Sequence, residues 1–445
     1  MAWDFSTDPE FQEKLDWMTT FVKEEIEPLE LLWPDLHHTP PPPWLRPVIE
    51  PLKAKVKQMG LWATHLGPEL DGKGYGQLKL ALMNEILGAY NWAPTIFGVQ
   101  GPDTGNAEVL AHYGTAAQKA KYLQPLLNGD IFSCFAMTEP QAGADVAYLK
   151  TRAVRDGDAW VINGDKFYAS NANNAAFLVL LAVTDPSVPV HKGTSMFLVP
   201  TETPGIRILR QTGVMGSEHD HDSQVITHPH VELKDVRIPL ENMLGAPGEG
   251  FLIAQTRLSG GRIHHAMRTI SICKRAMDMM CERALSRSAF GGLISEKQAV
   301  QQAIANSYAE IQQFRLYVLY TAWQIDRTHE YSREIRRDIA LCKTMAYKLH
   351  RDVVERAVHI HGALGCSNEM PLGRMWMEAP TQGVMDGPFE VHQTTACKVI
   401  LRGYKPSPGV WPTEWLPEKV AKARERFPQV LAAQEEYEKV HGRRK

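Results

Sequence analysis

The chain has 445 residues, long for a single hydrophobic core, so two or three domains, or lobes sharing a core, are expected. Hydrophobic residues make up 44% and charged residues 22%, the balance of an ordinary globular protein. A formal net charge of -3 supplies no general attraction to phosphate backbones or anionic lipid, which argues against a nucleic-acid or membrane-surface protein.

The opening stretch, MAWDFSTDPEFQEKLDW, is acidic and amphipathic rather than basic then apolar, so no signal peptide is expected. Helix-period patterns such as FQEKLDWMTTFVKEEI and LKLALMNEILGAY, separated by Pro- and Gly-rich breaks, predict a helical domain over residues 1–130. The proline run Pro40 to Pro43 predicts a rigid surface turn. GKGYG, Gly72 to Gly76, has two glycines of a dinucleotide loop but neither its full spacing nor a preceding strand, and predicts a plain loop.

Between residues 131 and 243 the period shortens. YLKTRAVRDGDAWVINGDKFYAS, AFLVLLAV, GTSMFLVP, IRILR and HVELKDVRIP are short alternating or β-branched runs punctuated by Asp-Gly and Asn-Gly, which predict a compact antiparallel, barrel-like β domain. The longest apolar run, Ala175 to Val183, has nine residues, far short of a membrane span. His219, His221, His228 and His230 form two H-x-H pairs whose side chains could share a strand face. No cysteine accompanies them, and no metal site is expected.

Long helical patterns return over 244–405 and predict a helical bundle, giving an α+β fold in the order helices, strands, helices. Residues 406–445 read as an extension with one appended helix, PEKVAKARERFPQVLAAQEEYEKV, suited to packing on a neighbouring subunit, and the basic end HGRRK as solvated. Six scattered cysteines without C-x-x-C spacing predict buried free thiols in a reducing compartment, hence a cytoplasmic protein.

Five strings carry chemistry: AMTEPQAGAD (136–145), KFYASN (166–171), read as a strand, SRSAFG (286–291), HIHGALG (359–365) and MDGPFEVH (385–392). Taken alone, Asp386 in Asp-Gly-Pro is a turn former. Their joint order and spacing resemble those of the acyl-CoA dehydrogenase family over residues 10–405. DTGNAEVL from Asp103, GGRIHHAMR from Gly260 and DGPFEVH resemble most the subgroup whose catalytic base is Asp rather than Glu. That subgroup includes long animal enzymes fused to kinase-like domains and stand-alone bacterial relatives.

The resemblance implies FAD-dependent conversion of an acyl-CoA to its trans-2-enoyl-CoA, a proton leaving the α-carbon and a hydride the β-carbon. Asp386 would be the base, its pKa raised by exclusion of water, its backbone N–H also donating to the thioester oxygen. Arg262 would orient that carboxylate. Gly261, Arg262, Gly387 and Ala144 would face substrate. Phe135, Met137 and Thr138 would line the flavin ring, with Tyr168 where the family has an aromatic and Ser170 where a hydroxyl donates to N5. Ala144 stands where family members often carry Ser. Arg287 and Gln298 match positions reaching the FAD of a neighbouring subunit, and His359, Gly362, Ala363, Pro388 and Glu390 would complete the cofactor contacts. His359 replaces a usual glutamine, and Pro388 a usual threonine.

These matches imply a homodimer or homotetramer with an electron-transferring flavoprotein as partner. A flavin oxidase of the same superfamily, acting on nitroalkane or acyl-CoA, is the second reading. A DNA-associated homologue without dehydrogenase activity is a third, disfavoured by the charge balance and by Asp386. Chain length and branching of the acyl group are not written in these motifs.

Overall fold

A computed structural model describes residues 7–37, 40–215, 228–328 and 331–442. The chain forms two compact units, 1–396 and 397–445. The first opens with helices α1 (Pro9–Phe21), α2 (Glu27–Leu32), α3 (Arg46–Gln58), α4 (Gln77–Leu87), α5 (Trp92–Ile96), α6 (Asp103–Tyr113), α7 (Ala116–Gln118) and α8 (Gln124–Asn128). Asp8 starts α1 by accepting the Phe11 N–H at 2.9 Å, with Pro9 in the first turn where no N–H is needed. Phe11, Leu15, Met18 and Phe21 then fall on one buried face. The proline run ends in a turn closed by Leu45 N–H to Pro42 O, 2.8 Å, which leads into α3. GKGYG is a loop that delivers the chain to α4, whose first N–H groups, Gln77 and Leu78, are capped by Asp326 at 2.6 and 2.8 Å.

Eight strands follow: β1 (Ser133–Ala136), β2 (Arg152–Asp156), β3 (Ala159–Lys166), β4 (Phe177–Val183), β5 (Thr194–Pro200), β6 (Ile206–Arg210), β7 (His230–Pro239) and β8 (Met243–Leu244), with helix α9 (Val190–Gly193) before β5. They build one sheet in the order β6-β7-β3-β2-β4-β5-β8, with β1 on β4. Most neighbours are antiparallel, as expected, but β4 takes two parallel neighbours, β1 from Ser133↔Phe177 to Ala136↔Leu180 and β2 at Arg152↔Val183. The Asp-Gly signal at 156–157 makes the β2–β3 hairpin, which pairs Asp156 with Ala159. Asn163-Gly164 makes no turn: it sits at an irregularity within β3, where the register against β7 shifts between Ile162 and Gly164.

The apolar run around β4 is explained by two-sided burial. Phe177, Val179, Leu181 and Val183 face a core shared with α6 and the following long helix, whereas Leu178, Leu180 and Ala182 face a second core within the sheet domain.

After the sheet come α10 (Gly250–Ser286), the small hairpin β9 (Ser288–Ala289) and β10 (Gly292–Leu293), then α11 (Gln298–Thr328), α12 (Arg333–His361), α13 (Leu372–Val384) and α14 (Phe389–Leu401). α10 has 37 residues and serves two cores: Ile253 and Ala254 pack against the sheet, and Ile263, Met267, Ile270 and Met280 pack in the bundle. The bundle core is continuous with the first helices, joining Met18, Ile26 and Trp92 to Phe314 and Val354. Cys134, Cys273 and Cys342 are buried as expected, but Cys366 and Cys397 are exposed.

The second unit holds α15 (Leu416–Arg426) and α16 (Pro428–His441). The sequence pattern reads as one helix, yet Pro428 has no N–H and its ring opposes a continuing turn, so the chain breaks at Phe427 and restarts. Neither helix contains a buried residue.

Candidate active site

Between α13 and α14 the chain reverses through two left-handed residues, Asp386 (φ 55°) and Gly387 (φ 102°). Glycine enters that region freely and Asp more readily than most side chains, which is why the turn reads Asp-Gly-Pro. Two donors fix it: Arg262 Nε donates to the Asp386 carbonyl at 2.9 Å, and His392 Nε2 lies 3.2 Å from the same oxygen.

The Asp386 carboxylate is carried against α10. Arg257 Nη1 stands 3.3 Å from Oδ1 and His265 Nε2 3.7 Å from Oδ2. Arg257, Gly261 and His265 are four residues apart and lie on one face of the helix. Gly261 is the gap that admits the carboxylate, since a Cβ there would stand 3.0 Å from Oδ2. Gly105 makes a matching gap on α6, where a Cβ would meet the Arg257 side chain at 3.0 Å. The strings around Asp103, Gly260 and Asp386 therefore meet in one cleft, lined by Gly101, Thr104 and Gly105, by Arg257, Gly261, His264, His265 and Arg268, and by Asp386.

The electrostatics differ from the sequence expectation. Burial does push the Asp386 pKa up, but Arg257, His265, Arg262 and Lys343 outweigh it together and hold the carboxyl below its ordinary value. Burial lowers His265 to about 4, so at neutral pH the arginines and Lys343 supply the attraction. Lys343, buried on α12 and donating to the Gln382 carbonyl, is itself brought down by burial to about 8. Arg257 and Lys343 thus add to desolvation and Arg262, the two influences legible in the sequence.

Arg262 matches its expected neighbourhood but touches the backbone of Asp386, whereas Arg257 holds the carboxylate. Arg257 was missed, although its place four residues before Gly261 was a usable helical signal. Lys343 had none, as it sits in an unremarked helical stretch far along the chain.

The mouth of the cleft is tied to the sheet. Asp103 at the start of α6 accepts from Ser133 N–H at 2.8 Å and Ser133 Oγ–H at 2.6 Å, and Asn106 Nδ2 donates to that Oγ at 2.9 Å. Phe135 on β1 places its ring 4.3 Å from the Arg257 guanidinium, a cation–π contact.

Beyond β1, the AMTEPQAGAD loop is stapled to β3 by a wholly buried ion pair. Lys166 Nζ lies 2.8 Å from Glu139 Oε1 and donates to Met137 O at 2.9 Å, while Glu139 also accepts from the Lys150 and Thr151 N–H groups. Phe167 N–H donates to Thr138 O at 3.0 Å, which sets Thr138 beside the KFYASN segment. That segment is not a strand beyond Lys166: β3 ends there, and Tyr168 enters a turn with φ 54°. Tyr168 stacks on Phe167 at 4.1 Å and is 49% exposed. Ser170 is half-buried, its Oγ 2.7 Å from His228 Nδ1. His228, lowered to about 4 by burial, is neutral at pH 7.

An FAD ring fits this edge. The Thr138 hydroxyl has no partner among the described residues, the Tyr168 ring is open on one side, and Ala144 is exposed on the same loop.

The remaining cofactor candidates lie apart. Arg287 follows α10, Gln298 opens α11, His359 lies in the last turn of α12, and Gly362 and Ala363 follow that helix; all five are exposed and none lines the Asp386 cleft. Glu390 is exposed on the first turn of α14, and Pro388 is half-buried beside the Asp386 turn. Of the histidine pairs, His228 bonds Ser170 and His230 Nε2 lies 3.1 Å from Asp165, whereas His219 and His221 lie outside the described residues. No group of three His, Cys, Asp or Glu among the described residues could hold a metal ion.

A helical domain, a sheet and a helical bundle, with a buried carboxylate on the bundle side and an open aromatic edge at the sheet, describe the architecture of a flavin-dependent oxidoreductase. The N-terminal, middle and C-terminal domain models of acyl-CoA dehydrogenase match residues 8–130, 134–228 and 248–401. The chain belongs to the acyl-CoA dehydrogenase family, whose cofactor is FAD.

It is 41% identical over 368 residues to the probable acyl-CoA dehydrogenase FadE2 of Mycobacterium tuberculosis, covering 82% of this chain and 87% of that one. It is 39% identical over 405 residues to acyl-CoA dehydrogenase family member 10 of Mus musculus, covering 88% of this chain but only 37% of the mouse protein. The solved butyryl-CoA dehydrogenase of Megasphaera elsdenii superposes with a TM-score of 0.76 at 26% identity, over 90% of this chain and all of that one. No helix among the described residues is long and apolar enough to cross a membrane.

Proposed function

We propose that the protein dehydrogenates an acyl-CoA thioester to its trans-2-enoyl-CoA, with Asp386 taking the α-proton. The observation that carries this is the Asp386 carboxylate itself: enclosed, gripped by Arg257, and placed in a cleft floored by Gly261 and walled by Gly101, Thr104 and Gly105. The cations keep that carboxylate ionised and ready to accept a proton. When Asp386 becomes neutral, Arg257, Arg262 and Lys343 remain, and they favour the negative charge that develops on the thioester as its proton leaves. A lowered pKa makes Asp386 a weaker base, so this residual positive field is what offsets the loss.

Phe135, Met137, Thr138, Ala144, Tyr168 and Ser170 would hold the isoalloxazine, and FAD when bound supplies the acceptor for the β-hydride. For Ser170 to donate toward the flavin, neutral His228 must carry its proton on Nδ1 and donate to the serine oxygen. The exposure of Arg287, Gln298, His359, Gly362 and Ala363 supports a homodimer or homotetramer in which they reach cofactor across an interface. An electron-transferring flavoprotein is the matching electron acceptor.

Anaerobic titration of the flavoprotein with a panel of acyl-CoAs should bleach the flavin, and nitroalkanes should not. Asp386→Asn keeps the shape but removes the basicity, so it should retain flavin and slow bleaching by at least about 100-fold. Bleaching at an undiminished rate would remove Asp386 from the chemistry.

A further inference from the structure

The cleft that holds Asp386 continues along α10 to His264 and Arg268, which take no part in the proton transfer. Arg268 stands seven residues past Gly261, roughly 10 Å farther along the helix. Its guanidinium is fixed from the core side: Nε donates to Asn84 Oδ1 at 2.8 Å and Nη2 to Val99 O at 2.5 Å, both on residues 1% exposed. Both partners are neutral. Among the described residues no carboxylate pairs with Arg268, and Nη1 has no hydrogen-bond partner. Burial alone acts on its pKa, bringing it down to about 10, so the group is charged at neutral pH. A cation enclosed without a counter-ion is costly, and one that lines a cleft marks a place where a ligand supplies the missing charge.

The neighbouring histidines carry a second, independent sign. His264, 8% exposed and lining the same cleft, has no partner at Nε2, and His65 has none at either ring nitrogen. Burial, helped by the Arg268 charge, keeps both rings neutral, so each has one N–H to give.

What reaches this corner is the acyl tail. With its α-carbon at Asp386, the thioester turns its β-carbon to the flavin edge on the sheet side, where Arg257 meets Phe135, whereas Arg268 lies on the bundle side against α4 and Val99. An alkyl end would leave the guanidinium charge and the ring N–H groups unanswered. A hydroxyl would answer a donor but not the charge. A carboxylate, which only accepts and has two oxygens, answers Arg268 Nη1 and both histidines together.

We propose that the substrate's acyl chain ends in a carboxylate held by Arg268 with His264 and His65, so that the substrate class is the mono-CoA thioester of a dicarboxylic acid. This rests on the dehydrogenase reading of the cleft and adds its specificity.

Anaerobic flavin bleaching of the holoenzyme tests it with three series of equal chain lengths: the mono-CoA thioesters of adipic, suberic and sebacic acid, then hexanoyl-, octanoyl- and decanoyl-CoA, then the matching ω-hydroxyacyl-CoAs. At its best length the carboxylate series should exceed both others in kcat/KM by at least about 30-fold. Arg268→Met removes the charge and keeps an unbranched stem, so it should reverse the order: the carboxylate series loses, mainly through KM, and the alkyl series gains. Arg268→Lys keeps the charge without the planar fork and should restore part of the preference. Alkyl or hydroxyl tails that match the carboxylate series in the parent enzyme would overturn the proposal and leave the dehydrogenation standing, whereas no bleaching by any series would remove both. A carboxylate preference that survives Arg268→Met at parent-like flavin content would also overturn it. The parent panel decides the substrate class even where Arg268→Met does not fold.

Discussion

Gly261→Ala isolates the placement of the carboxylate from the stability of the fold. The new methyl would stand 3.0 Å from Asp386 Oδ2, closer than ordinary van der Waals contact, so the carboxylate must retreat by a few tenths of an ångström. It has little room, with Arg257 3.3 Å from one oxygen and His265 3.7 Å from the other. A misplacement of 1 Å costs on the order of 100-fold in rate, so this smaller one should slow flavin bleaching by roughly 3- to 10-fold. Alanine also favours a helix interior over glycine by about 1 kcal/mol, which offsets the local strain. The variant should therefore melt no lower than the parent in calorimetry while reacting more slowly in anaerobic stopped flow. A parent-like bleaching rate would show that the position of Oδ2 against α10 does not govern the reaction. A large fall in melting temperature would show that the cleft cannot absorb the methyl at all.

Arg257→Gln removes the cation nearest the carboxylate, so the Asp386 pKa should rise and the acidic limb of the bleaching-rate profile should move to higher pH; an unmoved limb would leave Arg257 without a role in setting it. Lys166→Met strands the buried Glu139 carboxylate and should cost about 3–5 kcal/mol in denaturant unfolding, a cost that Glu139→Gln in the same chain should partly relieve. Burial raises Glu108 to about 8, so the folded protein binds a proton that the unfolded chain releases above about 4.5. Stability from this group is thus full below pH 4.5 and declines as pH rises toward 8, and Glu108→Gln should flatten that decline in melting temperature.

Much of this site was legible because three short strings each kept a residue that only close approach explains. Gly105 and Gly261 clear space for Arg257 and Asp386, and Gly387 permits the turn that aims the carboxylate. The helices followed from their period, and β4 from an apolar run of strand length. What escaped was the electrostatic balance, because Arg257 and Lys343 reach Asp386 from positions 129 and 43 residues earlier in the chain. The strand reading of KFYASN failed at Tyr168, where β-favouring residues continue but the backbone turns left-handed. The C-terminal pattern kept its helical period across Phe427-Pro428, and only the missing proline N–H breaks it.

α10 is clamped at one end by Ile253 and Ala254 against the sheet and farther along by Ile263 to Met280 in the bundle, with Arg257 to Arg268 along the cleft. A rod pinned on both flanks of a binding groove cannot tilt to widen it. Changes in which molecules enter must then come from residue exchange on the walls, Gly101, Thr104 and Gly105 on the facing side and Arg268 on the rod itself, and random libraries selected for new substrates should accumulate their hits there rather than at hinges.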